Sequence, residues 1–198
     1  MLLESKNINF RYGKGPFIIK DFTMELNSGE IVGLSGNSGS GKTTLARILA
    51  GYEKPYEGHV LLDGKPLPED RFNPVQLVFQ HPEKSVNPHW KMHKTLNEGW
   101  SPEDSLIHSL GIEEEWLQRW PNELSGGELQ RFCVTRALSP DTKFLIADEM
   151  TTMLDAITQA HIWNVVIDIA KKRNIGVLVI SHERHLIDRI CSKVIEIN

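Results

Sequence analysis

The feature that most constrains the fold is the run Gly36-Asn37-Ser38-Gly39-Ser40-Gly41-Lys42-Thr43. It follows a short apolar segment, Glu30 to Leu34, and leads into the helix-forming stretch Lys42 to Ala50. The pattern G-x-x-x-x-G-K-[ST], set between a strand and a helix, describes a loop whose backbone N–H groups turn inward around phosphate. The helix N-terminus behind the loop adds favourable charge for an anion. Lys42 is placed to neutralise β and γ oxygens of a nucleoside triphosphate, and the Thr43 hydroxyl to ligate Mg²⁺. Gly36, Asn37, Ser38, Gly39, Ser40, Gly41 and Thr44 complete the expected cradle. Alone, this motif implies triphosphate binding and leaves open what is done with it.

The rest of the chain reads as α/β. Strand-like segments recur at Ile8 to Arg11, Phe17 to Leu26, Glu30 to Leu34, His59 to Leu62, Val75 to Phe79, Phe144 to Ala147, Gly176 to Ile180 and Lys193 to Ile197. The runs at 144–147 and 177–180 are continuously apolar, as in parallel strands covered on both faces. Helical stretches are expected at Lys42 to Ala50, Gly127 to Leu138 and Ala156 to Lys172. The stretch from about 81 to 122 differs: it holds Pro82, Pro88, Pro102 and Pro121 and the tryptophans at 90, 100, 116 and 120. It reads as an inserted helical subdomain, with its tryptophans filling a small core. The expectation is one domain over 1–198, with 1–80 and 123–198 as its core.

Composition narrows the function classes. A net charge of −4 gives no basic field for nucleic acid or anionic lipid. No apolar run approaches the roughly 20 residues needed to span a bilayer, and Met1 to Lys6 lacks a signal-peptide pattern. Cys133 and Cys191 form no C-x-x-C and are expected to be buried, reduced thiols.

Two further segments carry chemistry. Phe144-Leu145-Ile146-Ala147-Asp148-Glu149 is a buried strand ending in two acids. Such a strand delivers its last side chains to the sheet edge where a phosphate-binding loop also lies. Asp148 then fits a Mg²⁺-holding role, and Glu149 is placed to polarise an attacking water. Adjacent acids at a strand end are commonly a solvated turn; the loop at 36–43 tips the reading to catalysis. Leu124-Ser125-Gly126-Gly127-Glu128-Leu129-Gln130-Arg131 is a second glycine turn ahead of a helix, and Ser125 with the following N–H groups suits an anion.

These segments, in this order, resemble the ATP-binding cassette (ABC) ATPases almost end to end. The resemblance implies a P-loop ABC ATPase fold: a mainly parallel core sheet, an N-terminal antiparallel β part and an inserted helical subdomain. It implies ATP and Mg²⁺ as ligands. It casts Ser125, Gly126, Gly127 and Glu128 as the signature loop that faces a neighbouring subunit's ATP, with Glu128 where glutamine is usual. Gln80 matches the glutamine that reaches Mg²⁺ or the lytic water. His182 matches the histidine that contacts the γ-phosphate, Asp155 the aspartate that crosses the dimer interface, and Tyr12 the aromatic that stacks on adenine. Met150 stands where the family often has proline, and Ala147 is smaller than the usual residue.

Gln80-His81-Pro82-Glu83-Lys84-Ser85-Val86-Asn87-Pro88 further resembles the peptide/nickel/opine importer branch. That branch implies integral-membrane permeases, a second ABC ATPase subunit (a different one, or a second copy) and an extracytoplasmic substrate-binding protein. It implies attachment at the cytoplasmic face of the cell membrane, and no nucleic-acid partner. The alternatives are a soluble ABC-type ATPase not coupled to a permease, and a small-molecule kinase. The kinase reading leaves Ser125, Gln80 and His182 without roles.

Overall fold

Strand β1 begins at Leu2, six residues earlier than the apolar pattern suggests, and runs Leu2–Phe10. Glu4, Ser5 and Lys6 mask it in the sequence, yet Glu4 and Ser5 are buried. Their polarity is satisfied locally: Lys6 Nζ lies 2.8 Å from Glu4 Oε1, and Ser5 Oγ accepts from Met24 N at 3.1 Å. Buried polar groups persist where they find such partners. A register shift between Ser5 and Ile8, with Asn7 at φ 52°, resets the alternation so that Ile8 and Phe10 again face inward.

The structure is a computed structural model and describes residues 1–197. It divides into two compact units. Among the described residues the first comprises 1–77, 141–148 and 174–197. Its antiparallel sheet has the order β2-β1-β4-β5, with β2 at Ile19–Asn27, β4 at Glu57–Leu62 and β5 at Lys65–Pro66. Strand β2 starts two residues later than the sequence suggests, because Phe17 belongs to the connection between β1 and β2. The second sheet has the order β6-β7-β8-β3-β9, with β3 at Ile31–Ser35, β6 at Val75–Val78, β7 at Phe144–Asp148, β8 at Gly176–Ile180 and β9 at Lys193–Glu196. The β7–β8, β8–β3 and β3–β9 pairs are parallel. Every residue of β7 and β8 is buried, as their continuous apolar runs require. In register, Asp148 pairs with Ile180 and Leu34 with Ile180, so the C-terminal ends of β7, β8 and β3 share one edge. Helix α1, Lys42–Leu49, packs on β7. Helix α6, Arg184–Ile190, was not legible in its charged sequence, since it buries little besides Ile187.

The second unit comprises Val78–Pro140 and Glu149–Arg173 and is helical. It contains α2, Met92–Leu96, α3, Asp104–Ser109, α4, Gly126–Ala137, and α5, Ala156–Arg173. Short 3₁₀ turns lie at Pro82–Lys84, Glu114–Gln118 and Pro121–Glu123. Its core gathers Val86, Met92, Leu96, Trp116, Phe132 and Cys133. Of the four tryptophans expected to fill this core, Trp116 is buried and Trp120 is exposed. Trp100 is half-buried and donates its indole N–H to Arg136 O at 2.9 Å. The ring of Trp90 lies under Lys94 Nζ at 4.1 Å. Among the described residues no helix is long and apolar enough to cross a membrane.

Candidate active site

The site begins where β3 ends. The loop from Gly36 to Gly41 turns tightly, with Ser40 N bonded to Asn37 O at 3.1 Å. Gly36 cannot carry a side chain: a Cβ there would fall 2.5 Å from Ile197 O and 2.7 Å from Ser40 Oγ. Gly41 caps α1 at φ 93°, and a Cβ there would stand 2.9 Å from Ile18 Cγ2. Both constraints keep the backbone bare along the loop, which lets an anion approach the N–H groups. Ser40 Oγ is buried without a hydrogen-bond partner, a polar group of the kind a phosphate oxygen satisfies.

Lys42 is 7% exposed. Its ammonium donates to Gly36 O at 2.8 Å and Asn37 O at 2.9 Å, so the loop's own carbonyls hold the cation at its mouth. One residue on, the Thr43 hydroxyl donates to Asp148 Oδ1 at 3.3 Å. The start of α1 and the end of β7 thus bring two hard oxygen donors together, across 105 residues of sequence. This is the donor chemistry Mg²⁺ prefers. Among the described residues no cluster of three or more His, Cys, Asp or Glu side chains could hold a metal. That fits an ion taking one or two protein oxygens and completing its shell with phosphates and water. Asp148 itself is 3% exposed.

His182 follows the end of β8 and is exposed. It lines a cleft of about 360 Å³ with Ser35, Gly36, Asn37, Arg184 and Glu196. Tyr12 is 47% exposed and stands edge-on to Phe10, ring centroids 4.8 Å apart. Asn37, Ser38 and Gly39 are exposed, and Thr44 is half-buried on the first turn of α1.

The other expected residues lie in the helical unit. Glu149 follows Asp148 directly, with φ 50°. A left-handed conformation at a non-glycine residue is uncommon and is held only where the surroundings enforce it. Thr152 supplies part of that enforcement, donating its N–H (3.3 Å) and hydroxyl (2.9 Å) to Glu149 O. Gln80 Nε2 donates to Glu149 Oε2 at 2.9 Å, which leaves the Gln80 amide oxygen as a hard donor. Gln130 Nε2 in turn donates to Phe79 O at 3.2 Å and ties α4 to the residue before Gln80.

Ser125 is the N-cap of α4. Its hydroxyl accepts from Glu128 N at 3.3 Å, and Glu128 Oε2 accepts from Ser125 N at 2.7 Å. This capping box commits Ser125 N–H to the chain's own carboxylate. Gly126 has open space where a side chain would be, and a Cβ on Gly127 would lie 3.1 Å from Leu154 Cδ2. Asp155 caps α5, its Oδ1 accepting from Ile157 N at 3.1 Å and Thr158 N at 3.0 Å. Those backbone donors, Thr158 first, hold its carboxyl below the usual range.

Sequence reasoning missed Thr151. Its buried hydroxyl accepts from Trp163 Nε1 at 3.0 Å and Gln159 Nε2 at 3.1 Å, pinning the segment between Glu149 and Asp155 to α5. No spacing rule pairs Thr151 with Trp163; the one available signal was that Trp163 is the lone tryptophan outside 81–122. Cys133 is buried as expected, whereas Cys191 is half-buried. Burial pushes both thiols up, Cys191 to about 11 with Asp188 adding to the effect.

A bare glycine loop between a parallel strand and a helix, with a hydroxyl–carboxylate pair at its foot, defines a P-loop nucleoside triphosphatase. Comparison with known proteins narrows the class. The family described as ABC transporter matches residues 19–152. A nickel import ATP-binding protein NikE of Rhodospirillum rubrum is 34% identical over 197 residues, covering 90% of this chain and 71% of that one. A nickel import system ATP-binding protein NikE of Staphylococcus aureus is 34% identical over 211 residues, covering 98% and 85%. Among solved structures, the ATP-binding cassette MJ0796, a dimer bound to ADP and Pi in a post-hydrolysis state, superposes with TM-score 0.84. It shares 23% identity and covers 99% of this chain and 94% of its own, which speaks to the fold. The chain belongs to the ABC transporter family, as an ATP-binding and ATP-hydrolysing subunit.

Proposed function

We propose that this subunit powers an importer of nickel, a metal–chelator complex or a short peptide. The observation that carries the reading is the 34% identity to nickel import ATP-binding proteins over 90% and 98% of the chain. The segment from Gln80 to Pro88 agrees with it. In this reading the chain sits at the cytoplasmic face of the membrane, bound to permease subunits near that segment. A second ATPase subunit, different from this one, completes a head-to-tail pair, and an external binding protein delivers the cargo.

The residues take the following parts. Tyr12 stacks on the adenine ring. Gly36 to Thr44 wrap the phosphates, and Lys42 neutralises the β and γ oxygens. Thr43 and Asp148 hold Mg²⁺, with the Gln80 amide oxygen as a further donor; the ion screens phosphate charge as it develops. Glu149 orients and polarises the attacking water, and His182 contacts the γ-phosphate. Ser125, Gly126, Gly127 and Glu128 present the α4 N-terminus to the ATP of the facing subunit. Asp155 reaches across the pair. Closure follows from tighter binding of ATP by the paired state than by the open one.

Glu149→Gln tests the chemistry: the variant is expected to accumulate an ATP-bound pair with little turnover, and near-normal turnover would reject Glu149 as the water-activating group. Affinity purification of tagged chain from gently solubilised native membranes tests the coupling. Co-purifying multi-span permeases and a second ATPase support the reading, and only soluble partners overturn it.

A further inference from the structure

Among the described residues Arg11 makes no salt bridge. Its Nε is buried with no hydrogen-bond partner. Two rings hold it instead: the guanidinium carbon lies 4.9 Å from the centroid of Phe17 and 4.7 Å from that of Tyr56. The rings touch each other edge-to-face, centroids 5.7 Å apart. The charge therefore sits in the corner formed by two rings, within reach of both, an arrangement that suits planar guanidinium better than a compact ammonium.

The location gives the clamp its meaning. Arg11 directly precedes Tyr12, and Phe17 lies near the far end of the same β1–β2 connection. Within that connection Gly15 N donates to Tyr12 O at 3.2 Å, and Ile18 N donates to Phe10 O at 2.8 Å. Tyr56 is anchored separately, its N–H donating to Asn9 O at 2.9 Å. The far end of the connection rests on the phosphate loop, since Ile18 fills the space a Cβ on Gly41 would need. Among the described residues the Tyr12 ring has one ring contact, edge-on to Phe10. Residues 12 to 16 are all exposed, so no core packing holds this turn.

We propose that Arg11 is a base-positioning residue: clamped by Phe17 and Tyr56, it holds the exposed turn so that Tyr12 is pre-set to stack on a purine beside the phosphate loop. This rests on the reading of Tyr12 as the adenine-stacking residue. The benefit is entropic. A turn ordered before the nucleotide arrives loses less freedom on binding, and the gain appears as affinity for the base and not for the phosphates. Arg11 itself touches neither.

The test is equilibrium binding to the full chain, with Mg²⁺, of ATP and of inorganic tripolyphosphate, which lacks base and ribose. Arg11→Ala and Tyr56→Leu are each expected to weaken ATP binding about five- to thirty-fold, the equivalent of one or two cation–π contacts, and to leave tripolyphosphate within about twofold. Arg11→Lys should fall between wild type and Arg11→Ala. In a Tyr12→Ala background, Arg11→Ala should add little. If Arg11→Ala weakens ATP and tripolyphosphate alike, Arg11 acts on phosphate or on the whole fold, and the proposal fails. If Tyr12→Ala lowers ATP affinity while Arg11→Ala does not, the clamp is irrelevant and the base reading stands. If Tyr12→Ala leaves ATP affinity unchanged, the base reading itself fails and takes the clamp with it.

Discussion

Replacing Thr151 by valine isolates one hydroxyl in the segment that carries Glu149. Valine has nearly the same shape, so the 3%-exposed site keeps its packing and loses an acceptor. Two donors feel the loss: Trp163 Nε1 at 3.0 Å and Gln159 Nε2 at 3.1 Å. Gln159 is half-buried and can turn to water; the indole N–H, on a side chain 3% exposed, cannot. A buried donor left without a partner costs about 1–3 kcal/mol. The lower half of that range is expected, because a single neutral N–H is stranded. In a domain of this size each 1 kcal/mol moves the melting midpoint by about 2–4 °C. The assay is equilibrium denaturation of Thr151→Val, Thr151→Ser and Trp163→Phe, with the Thr151→Val/Trp163→Phe double variant. Serine keeps the hydroxyl and should retain most of the stability. In the Trp163→Phe background no indole N–H remains to be stranded, so Thr151→Val should cost at least about 0.5 kcal/mol less there, a coupling that a double-mutant cycle resolves. Equal costs of Thr151→Val in both backgrounds would refute the reasoning, and the loss would then be a packing effect. If the coupling is found, the same hydroxyl steadies the segment that carries Glu149: Leu154 N donates to Thr151 O at 3.1 Å and Thr152 donates to Glu149 O, so the pin is continuous with the left-handed glutamate.

The remaining predictions are narrower. Lys42→Ala removes a charge-assisted donor of about 1.5–3 kcal/mol and should weaken ATP binding by roughly ten- to a hundred-fold; unchanged affinity in a calorimetric titration would count against its role. The Asp155 carboxyl is held below its usual range in the folded state, so the stability it confers is fully present above the ordinary carboxylate pKa and is lost as pH falls through the lowered value. Denaturation of wild type and Asp155→Asn across pH 6 to 2.5 should therefore show the wild-type curve losing ground in acid, and parallel curves would contradict it. Both thiols are pushed up, so native Cys133 and Cys191 should label slowly with a thiol reagent at pH 8. Labelling of Cys191 should quicken toward pH 11, and rapid reaction at pH 8 would show that its surroundings have been misread.

The sequence was most legible where local chemistry dictates local form. The loop at 36–43 required a strand before it and a helix after it, and both are present. The apolar runs at 144–147 and 177–180 became fully buried parallel strands. Helices expected from Gly127 and from Ala156 begin within one residue of those positions. Legibility failed where burial contradicts polarity. The start of β1 hides behind Glu4 to Lys6, because hydropathy cannot foresee which polar side chains will find partners; α6 escapes for the opposite reason, since its polar residues stay exposed and it buries little besides Ile187.

What the sequence determined by itself was the list of candidate reacting groups and the backbone freedom they need, since glycine spacing, a buried strand end and a capped helix are properties of contiguous residues. What only the tertiary structure decided was which distant groups meet: Thr43 with Asp148, Gln80 with Glu149, Thr151 with Trp163, and Arg11 with Tyr56. Those pairings depend on strand order, on register and on the paths of long connections. Such features follow from burying the whole chain at once, and no window of sequence contains them.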